Sequence, residues 1–200
     1  LLKNKACTII RSYNKGGYLI DESYYGIGNK PIYTVEGYHG FKNEYDTKNR
    51  LISSQYYGLD DKKSYNRKGY HKIIFDYDDA RGNLTKIRLY DASDNLVPYS
   101  GYWAEQKLTY NAGGQVIKLE YLDQFEKPVN IIGRYASIEN KYDDIGNLIQ
   151  TSYFDNEGKL SDDYYINDYN IQVGSRYFAK VIFIYDEYGN IIRTECFNTE

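Results

Sequence analysis

Histidine and cysteine often carry nucleophilic or acid–base chemistry, and this sequence has two of each. His39 and His71 both follow a Gly-Tyr pair, about 32 residues apart, and Trp103 stands at the matching place of the next segment. These residues could form a shared metal or acid–base site, or they could pack as amphipathic side chains beside tyrosine. A working site needs convergent partners, whereas these residues recur at a fixed spacing. Packing is therefore favoured.

Cys7 and Cys196 match neither a disulfide framework nor the paired spacings of a zinc site. A disulfide between the two stays open. Cys196 takes the place that Tyr121 and Tyr153 hold in earlier segments. A small buried apolar role is therefore favoured over that of a nucleophile. We predict no metal site and no cofactor on these residues.

Acidic residues are the next candidates for chemistry. Asp162, Asp163 and Asp168 offer the hard oxygen ligands that calcium prefers, but their stretch lacks the alternating carboxylates and the fixed glycine of an EF-hand loop. A solvated loop is favoured. The sequence offers no convincing carboxylate pair for hydrolysis. We therefore predict that the chain is not an enzyme.

Tyrosine is the most unusual feature of the composition, with 26 residues against seven phenylalanines and one tryptophan. Aromatic rings offer flat apolar faces to sugars and are enriched where proteins bind partners. Alternatively, the rings pack across strands, each pair contributing about 0.2–1 kcal/mol. Packing is favoured, and some tyrosine rows are expected to serve both packing and binding. The predicted binding residues are Tyr102, Trp103, Tyr164, Tyr165 and Tyr169.

Charge and hydropathy exclude several classes of protein. The net charge is −3 and there is no basic stripe, which argues against a nucleic-acid partner. No run approaches the roughly 18 apolar residues that span a bilayer. The sequence begins with Leu1 and has no methionine, so we expect a processed form or a segment of a longer protein.

The chain repeats a pattern in which a Tyr and an Asp or Asn precede a turn and an aliphatic pair. The repeated tyrosines are Tyr13, Tyr45, Tyr77, Tyr110, Tyr142 and Tyr185. A glycine follows four or five positions later at Gly17, Gly82, Gly114, Gly146 and Gly189, and Asn49 replaces it once. A turn that ends in a residue with positive φ is typical of a type I turn with a G1 bulge. Each unit is therefore predicted to be a β-hairpin.

Strand parity favours two strands in each unit, because three would place equivalent tyrosines at opposite ends of alternate units. The prediction is an all-β fold in which tandem β-hairpin repeats form an elongated, curled antiparallel sheet or a shell-like array. Five to six units give about ten to twelve strands, and open sheets beyond about ten tend to curl. We expect one array over residues 1–200, with an insertion at about 162–174 where the period lengthens.

The motif Tyr-Asp-x-x-Gly-Asn, at 142–147 and 185–190, resembles the YD repeats of bacterial Rhs-type surface proteins. This chain differs from them in its longer unit and its added Gly-Tyr element. The resemblance implies a β shell or stalk on an extracellular or cell-surface bacterial protein. It also implies scaffolding or binding to a protein or a glycan, next to neighbouring repeats or domains of the same chain. The main hypothesis is a protein-interaction scaffold; the alternative is a carbohydrate-binding module with exposed tyrosine rows.

Overall fold

A computed structural model describes residues 7–131, 134–161, 164–165 and 177–199, with the backbone alone for Tyr164, Tyr165 and Tyr177. The chain forms two compact units, residues 1–105 and 106–200. The strands are β1 Thr8–Tyr13, β2 Leu19–Tyr25, β3 Gly40–Tyr45, β4 Leu51–Tyr57, β5 Lys72–Tyr77, β6 Leu84–Tyr90, β7 Glu105–Tyr110, β8 Val116–Leu122, β9 Ser137–Tyr142, β10 Leu148–Phe154, β11 Tyr164–Tyr165, β12 Tyr177–Phe178, β13 Lys180–Tyr185 and β14 Ile191–Phe197. The predicted all-β fold is confirmed.

Consecutive strands pair as antiparallel hairpins, two strands to a repeat as predicted. The order is β1-β2-β3-β4-β5-β6 in the first unit and β7-β8-β9-β10-β13-β14 in the second. Each hairpin has a six-residue leading strand, which ends in the repeated Tyr, and a seven-residue trailing strand. Each unit's sheet is open and does not close on itself.

The turn inside each hairpin has the predicted conformation. Gly146 has φ 97° and Asn49 has φ 62°, in the region that favours glycine and asparagine. The register shifts by one residue beside each turn, as a G1 bulge requires. A second turn after the trailing strand also has a positive-φ residue. Its members are Asn29, Asp61, Asp94, Glu126 and Gly158.

The connector after the second turn adds little regular structure. It touches the end of the trailing strand through single bridges, such as Tyr25 to Pro31 and Leu122 to Pro128. Two short 3-10 turns, Ile27–Asn29 and Tyr99–Gly101, are the helical elements of the described part. Neither is long and apolar enough to cross a bilayer.

Aspartate holds the hairpin turn by accepting backbone hydrogen bonds. Asp186 Oδ1 accepts the N–H groups of Tyr188 and Asn190 at 2.9 and 2.8 Å, and Asn190 Nδ2 donates to Asp186 Oδ2 at 2.9 Å. Hydrogen bonds from the Asn190 side chain and backbone lower the pKa of Asp186. The Asn111 amide oxygen does the same work, accepting the Gln115 N–H at 3.0 Å.

Replacing Asp186 with asparagine should make the protein less sensitive to acid. Because the folded pKa of Asp186 is lowered, its stabilising contribution is present above the unfolded value of about 3.9 and is lost as pH falls through the folded pKa. D186N keeps the acceptor and removes the proton uptake. Thermal unfolding midpoints between about pH 5 and pH 2 should fall less in the variant.

The reverse substitution, Asn111→Asp, is the matched control because it adds a carboxylate at the same repeat position. It should steepen the fall in acid. Equal acid profiles for wild type, D186N and N111D would contradict the assignment.

Candidate functional site: the tyrosine rows

The repeated tyrosine is a link between consecutive hairpins. Its hydroxyl donates to the backbone carbonyl of the first residue of the preceding trailing strand. These latch tyrosines and their acceptors are Tyr45 to Leu19 at 3.0 Å, Tyr77 to Leu51 at 3.0 Å, Tyr142 to Val116 at 3.1 Å and Tyr185 to Leu148 at 2.9 Å. A phenol that packs its ring against the sheet and donates at its tip suits this place. The latches therefore fix the spacing of neighbouring hairpins.

Removing one latch hydroxyl should cost about 1 kcal/mol of unfolding free energy, the usual net value of one hydrogen bond. Tyr77→Phe is the cleanest test because the Arg50 guanidinium, 4.7 Å from the ring centroid, keeps its aromatic contact. Denaturant unfolding measures the change. Tyr13→Phe is the control, since among the described residues the Tyr13 hydroxyl has no hydrogen-bond partner, and it should be neutral.

A second row runs across the strands as an aromatic ladder. In the first unit, Tyr38 lies 6.3 Å from Tyr24 and 4.6 Å from Tyr56 between ring centroids, and Tyr56 lies 5.9 Å from Tyr70. In the second unit, Tyr135 lies 5.9 Å from Tyr121 and 5.1 Å from Tyr153. Burial raises the pKa of Tyr24, Tyr38 and Tyr56. The ladder is thus core, built from tyrosine where most sheets use aliphatic residues.

The two histidines are buried at equivalent positions of consecutive repeats. Both are buried, and each lies 3.1 Å through Nδ1 from a backbone carbonyl, His39 from Ile32 and His71 from Ser64. Because a carbonyl only accepts, Nδ1 carries the proton in both rings. His39 also makes edge contacts with the Tyr25 and Tyr57 rings. Among the described residues, no three His, Cys, Asp or Glu side chains converge to hold a metal.

Trp103 does not occupy the histidine position that its sequence spacing predicts. Leu89 N–H donates to the Ala104 carbonyl at 2.9 Å, as Tyr56 N–H does to His71. Ala104 is thus the equivalent of His71, and Trp103 is the equivalent of the ladder residue Tyr70. The Gly-Tyr spacing aligned Trp103 with the histidines, one residue away from its true repeat position. The reason is that Tyr102 holds the turn position that Gly69 holds in the preceding repeat.

Trp103 belongs to an aromatic cluster with a cation. The Trp103 and Tyr99 rings stack at 5.7 Å with planes 13° apart, and Lys68 Nζ lies 5.1 Å from the Tyr99 centroid. A hydrogen bond with the Tyr99 hydroxyl raises the pKa of Lys68. Tyr102, the residue before Trp103 in the sequence, is 41% exposed, and its backbone N–H donates to the Tyr99 carbonyl at 2.8 Å. This platform combines flat apolar surface, a phenol and a fixed positive charge.

Sequence reasoning missed a row of exposed apolar side chains at the connector end of the first unit. Tyr33 and Tyr65 are equivalent by repeat position, and each lies against the second turn of the next hairpin. The Tyr65 hydroxyl accepts the Ala92 N–H at 3.2 Å. Their 32-residue spacing was the available signal. The exposed connector row consists of Ile27, Tyr33, Val35, Leu59 and Tyr65.

The strand face near the turn between β3 and β4 forms a groove of about 400 Å³, and several of its polar side chains bond to one another or to a neighbouring side chain. Arg50 Nε lies 2.6 Å from Asp46 Oδ2, and Ser53 Oγ donates to Glu44 at 2.8 Å. Asp76 pairs with Arg88. These contacts support the sheet.

Several predicted site residues lie outside the described residues: Asp162, Asp163, Asp168 and Tyr169, with most of the insertion at 162–174. Tyr164 and Tyr165 form β11, which pairs with β12 in a separate two-stranded sheet. In chain order, β11 and β12 come between β10 and β13. The strands β10 and β13 nevertheless pair with each other directly. Cys7 and Cys196 are both free thiols, and burial raises the pKa of Cys196.

No protein-family model and no curated protein sequence matches the chain. The chain is similar to part of three solved structures. They are TcdB2-TccC3-Cdc42, with 13% identity, TM-score 0.42 and coverage of 94% of this chain; TcdB2-TccC3 without its hypervariable C-terminal region, with 14%, 0.42 and 96%; and a Photorhabdus luminescens Tc holotoxin pore with a TccC3 mutation, with 15%, 0.41 and 94%. The chain spans 9% of the length of each. The resemblance to YD repeats stays a prediction from the motif.

Proposed function

We propose that this chain is a non-enzymatic repeat scaffold of a secreted or surface-exposed bacterial protein, and that its exposed connector row binds a protein partner. The observation that carries the proposal is the latch row. The hydroxyl of the repeated tyrosine donates a hydrogen bond that joins one hairpin to the next.

Other long polar side chains also link consecutive hairpins. Arg50 Nη1 donates to the Asp78 carbonyl at 3.1 Å, and Gln115 Nε2 donates to the Gly146 carbonyl at 2.7 Å. The carboxylates of the hairpin turns accept backbone N–H groups of their own turn. Such use of polar groups supports a role in which shape and spacing matter more than chemistry.

The exposed connector row supports binding to a protein. It places aliphatic and tyrosine side chains together at one end of the first unit, and exposed apolar surface with tyrosine is characteristic of protein-binding sites. The row contains no charged side chain, and its two phenols supply hydrogen-bonding groups. A partner with an apolar patch rimmed by backbone or amide groups fits these properties.

Site-specific photo-crosslinking in the cells that make the protein tests the binding role. A photoreactive residue at Tyr33 or Leu59 should capture the same partner, and one at Lys48, which is exposed on a hairpin turn, should not. Equal capture at all three positions, or none at any, would overturn the binding role. Small-angle scattering tests the scaffold separately: a radius of gyration near the 16–17 Å of a compact 200-residue domain would contradict an extended array.

Carbohydrate binding is the second candidate, favoured by the cluster of Tyr99, Tyr102, Trp103 and Lys68. Aromatic faces stack on sugar rings, and the phenol and the ammonium supply hydrogen bonds. Binding on a glycan array that is lost in Tyr102→Ala plus Trp103→Ala would support it, as would loss in Tyr164→Ala plus Tyr165→Ala. Tyr188→Ala, an exposed tyrosine on a hairpin turn, is the control. Silence on the array would favour the scaffold alone.

A further inference from the structure

The connector turns of consecutive repeats in the first unit are joined by backbone hydrogen bonds. Arg67 N–H donates to the Glu36 carbonyl at 2.5 Å, and Ser100 N–H donates to the Lys68 carbonyl at 3.0 Å. Arg67 and Ser100 are therefore equivalent by repeat position, and so are Glu36 and Lys68. The third connector turn can be compared position by position with the two before it.

The first position of the turn changes from a small polar residue to an aromatic one. Thr34 and Asn66 hold this position in the first two turns, and both are buried. Thr34 Oγ1 donates to a backbone carbonyl of its own turn at 2.9 Å, and Asn66 Oδ1 accepts a backbone N–H of its own turn at 2.9 Å. Tyr99 holds the position in the third turn, and its ring stacks on Trp103 instead.

The backbone of the third turn differs as well. Gly37 and Gly69 carry the positive φ of the first two turns, where glycine bears little steric cost. In the third turn the positive φ falls on Ser100, at 46°. Residues with a side chain in this region are uncommon, and they cluster at ligand-binding sites. The third turn thus lacks the polar side chain and the glycine of its predecessors and has a stacked aromatic pair in their place.

Lys68 adds a positive charge to this pair, with Nζ 5.1 Å from the Tyr99 ring centroid. Arg50 and Lys72 also face tyrosine rings, but each pairs with an aspartate of the chain. Among the described residues, no carboxylate lies within ion-pair distance of Lys68. Arg67, the residue before it, is exposed and has no ion pair in the described part of the chain either. The third turn therefore has positive charge that the chain does not neutralise by contact.

We propose that the platform of Tyr99, Trp103 and Lys68 binds an acidic saccharide, with a sugar ring against the aromatic pair and its carboxylate or sulfate group at Lys68. The C–H groups of a sugar ring pack on an aromatic face, and an ammonium forms a charge-assisted hydrogen bond with an anionic oxygen. The rings favour a sugar over an acidic peptide, and the cation favours an acidic sugar over a neutral one. This inference rests on the carbohydrate-binding candidate above and names its ligand class.

Trp103 is the one tryptophan of the sequence, so tryptophan fluorescence reports on this platform alone. An oligogalacturonate, which carries carboxylates, and a heparin oligosaccharide, which also carries sulfates, are the acidic probes. At least one of them should change the emission in a saturable way, and calorimetry should give the same affinity. A response to both probes would assign the carboxylate, and a response to heparin alone would assign the sulfate.

Neutral forms of the same sugars test the role of the charge. They are the methyl ester of the oligogalacturonate and a desulfated, carboxyl-reduced heparin oligosaccharide. Each keeps the sugar rings and loses the anionic groups. Each should bind about tenfold or more weakly than its acidic parent, which is the factor that one charge-assisted hydrogen bond supplies.

Lys68→Glu reverses the charge at the platform and introduces the residue that Glu36 provides at the same repeat position. It should remove the preference for the acidic probe. Lys42→Glu is the matched control, because Lys42 Nζ also lies 5.1 Å from a ring centroid, that of Tyr57, but the Tyr57 ring is buried. It makes the same change in net charge and should leave the affinity nearly unchanged at physiological salt, where distant charges are screened.

Tyr99→Ile removes the aromatic partner and keeps the fluorescent reporter. Ile131 holds this position in the second unit, where its N–H donates to the Tyr135 carbonyl at 2.8 Å as the Tyr99 N–H does to Trp103 at 2.6 Å. The turn therefore accepts isoleucine. The variant should lose binding of the acidic probe while its circular dichroism stays unchanged.

Four results would overturn the proposal. The first is no binding of either acidic probe by fluorescence and calorimetry. The second is equal affinity for the acidic and neutral probes, which would keep carbohydrate binding and reject the acidic class. The third is equal affinity for polyglutamate or oligodeoxythymidylate, which would indicate a charge or nucleic-acid site. The fourth is unchanged binding in Lys68→Glu.

Discussion

Replacing Gly40 with alanine should lower the unfolding free energy of the first unit by about 2–3 kcal/mol, the upper part of the usual cost of overpacking. A Cβ at this position would lie 2.4 Å from the Tyr57 Cζ and hydroxyl oxygen and 2.5 Å from the Glu22 carbonyl oxygen. The Tyr57 ring cannot withdraw freely, because its hydroxyl donates to Asp21 Oδ1 at 2.9 Å. Denaturant unfolding followed by circular dichroism measures the loss.

Ser137→Ala is the matched control for Gly40→Ala. Ser137 begins β9 at the repeat position of Gly40 and already has a Cβ, so the change should stay within about 0.5 kcal/mol. A loss for Gly40→Ala no larger than that for Ser137→Ala would show that the Tyr57 ring moves aside at little cost.

Alkaline pH should unfold the first unit steeply. Burial, as the largest cause, raises the pKa of Tyr24, Tyr38, Tyr56 and Tyr57, and a hydrogen bond from the Tyr24 hydroxyl to Glu22 adds to the effect at Tyr24. A raised folded pKa means that this stability is fully present below the unfolded value of about 10 and is lost as pH rises through the folded value. For one buried phenol, an acid dissociation constant tenfold smaller in the folded than in the unfolded state corresponds to about 1.4 kcal/mol.

Phenolate absorbance and circular dichroism, recorded together above about pH 10, test this expectation. The buried phenols should ionise in the same transition that unfolds the sheet. Tyr24→Phe should reduce the steepness of that transition, and Tyr188→Phe, at an exposed position, should leave it unchanged. Ionisation of every tyrosine with the sheet intact would contradict the buried ladder.

The hairpins and their turns were predictable because the determining information is local. A position with positive φ favours Gly or Asn because other side chains clash with their own backbone there. The short β-branched and aromatic runs of the strands, bounded by turn residues, are also visible in the local sequence. The turn conformations at Asn49 and Gly146 therefore agree with prediction. The placement of Trp103 failed by one residue, because Tyr102 holds a turn position where earlier copies have glycine.

The sequence by itself determined the repeat period, the two-stranded unit and the turn residues of this protein. The tertiary structure decided what each tyrosine does: the latch, the buried ladder or the exposed connector row. All three rows consist largely of the same residue type, so the residue type does not distinguish them. The acceptor of a latch hydroxyl is a backbone carbonyl, and since every residue has one, the sequence does not indicate which residue supplies it. Which carbonyl lies in reach is fixed only when neighbouring hairpins pack.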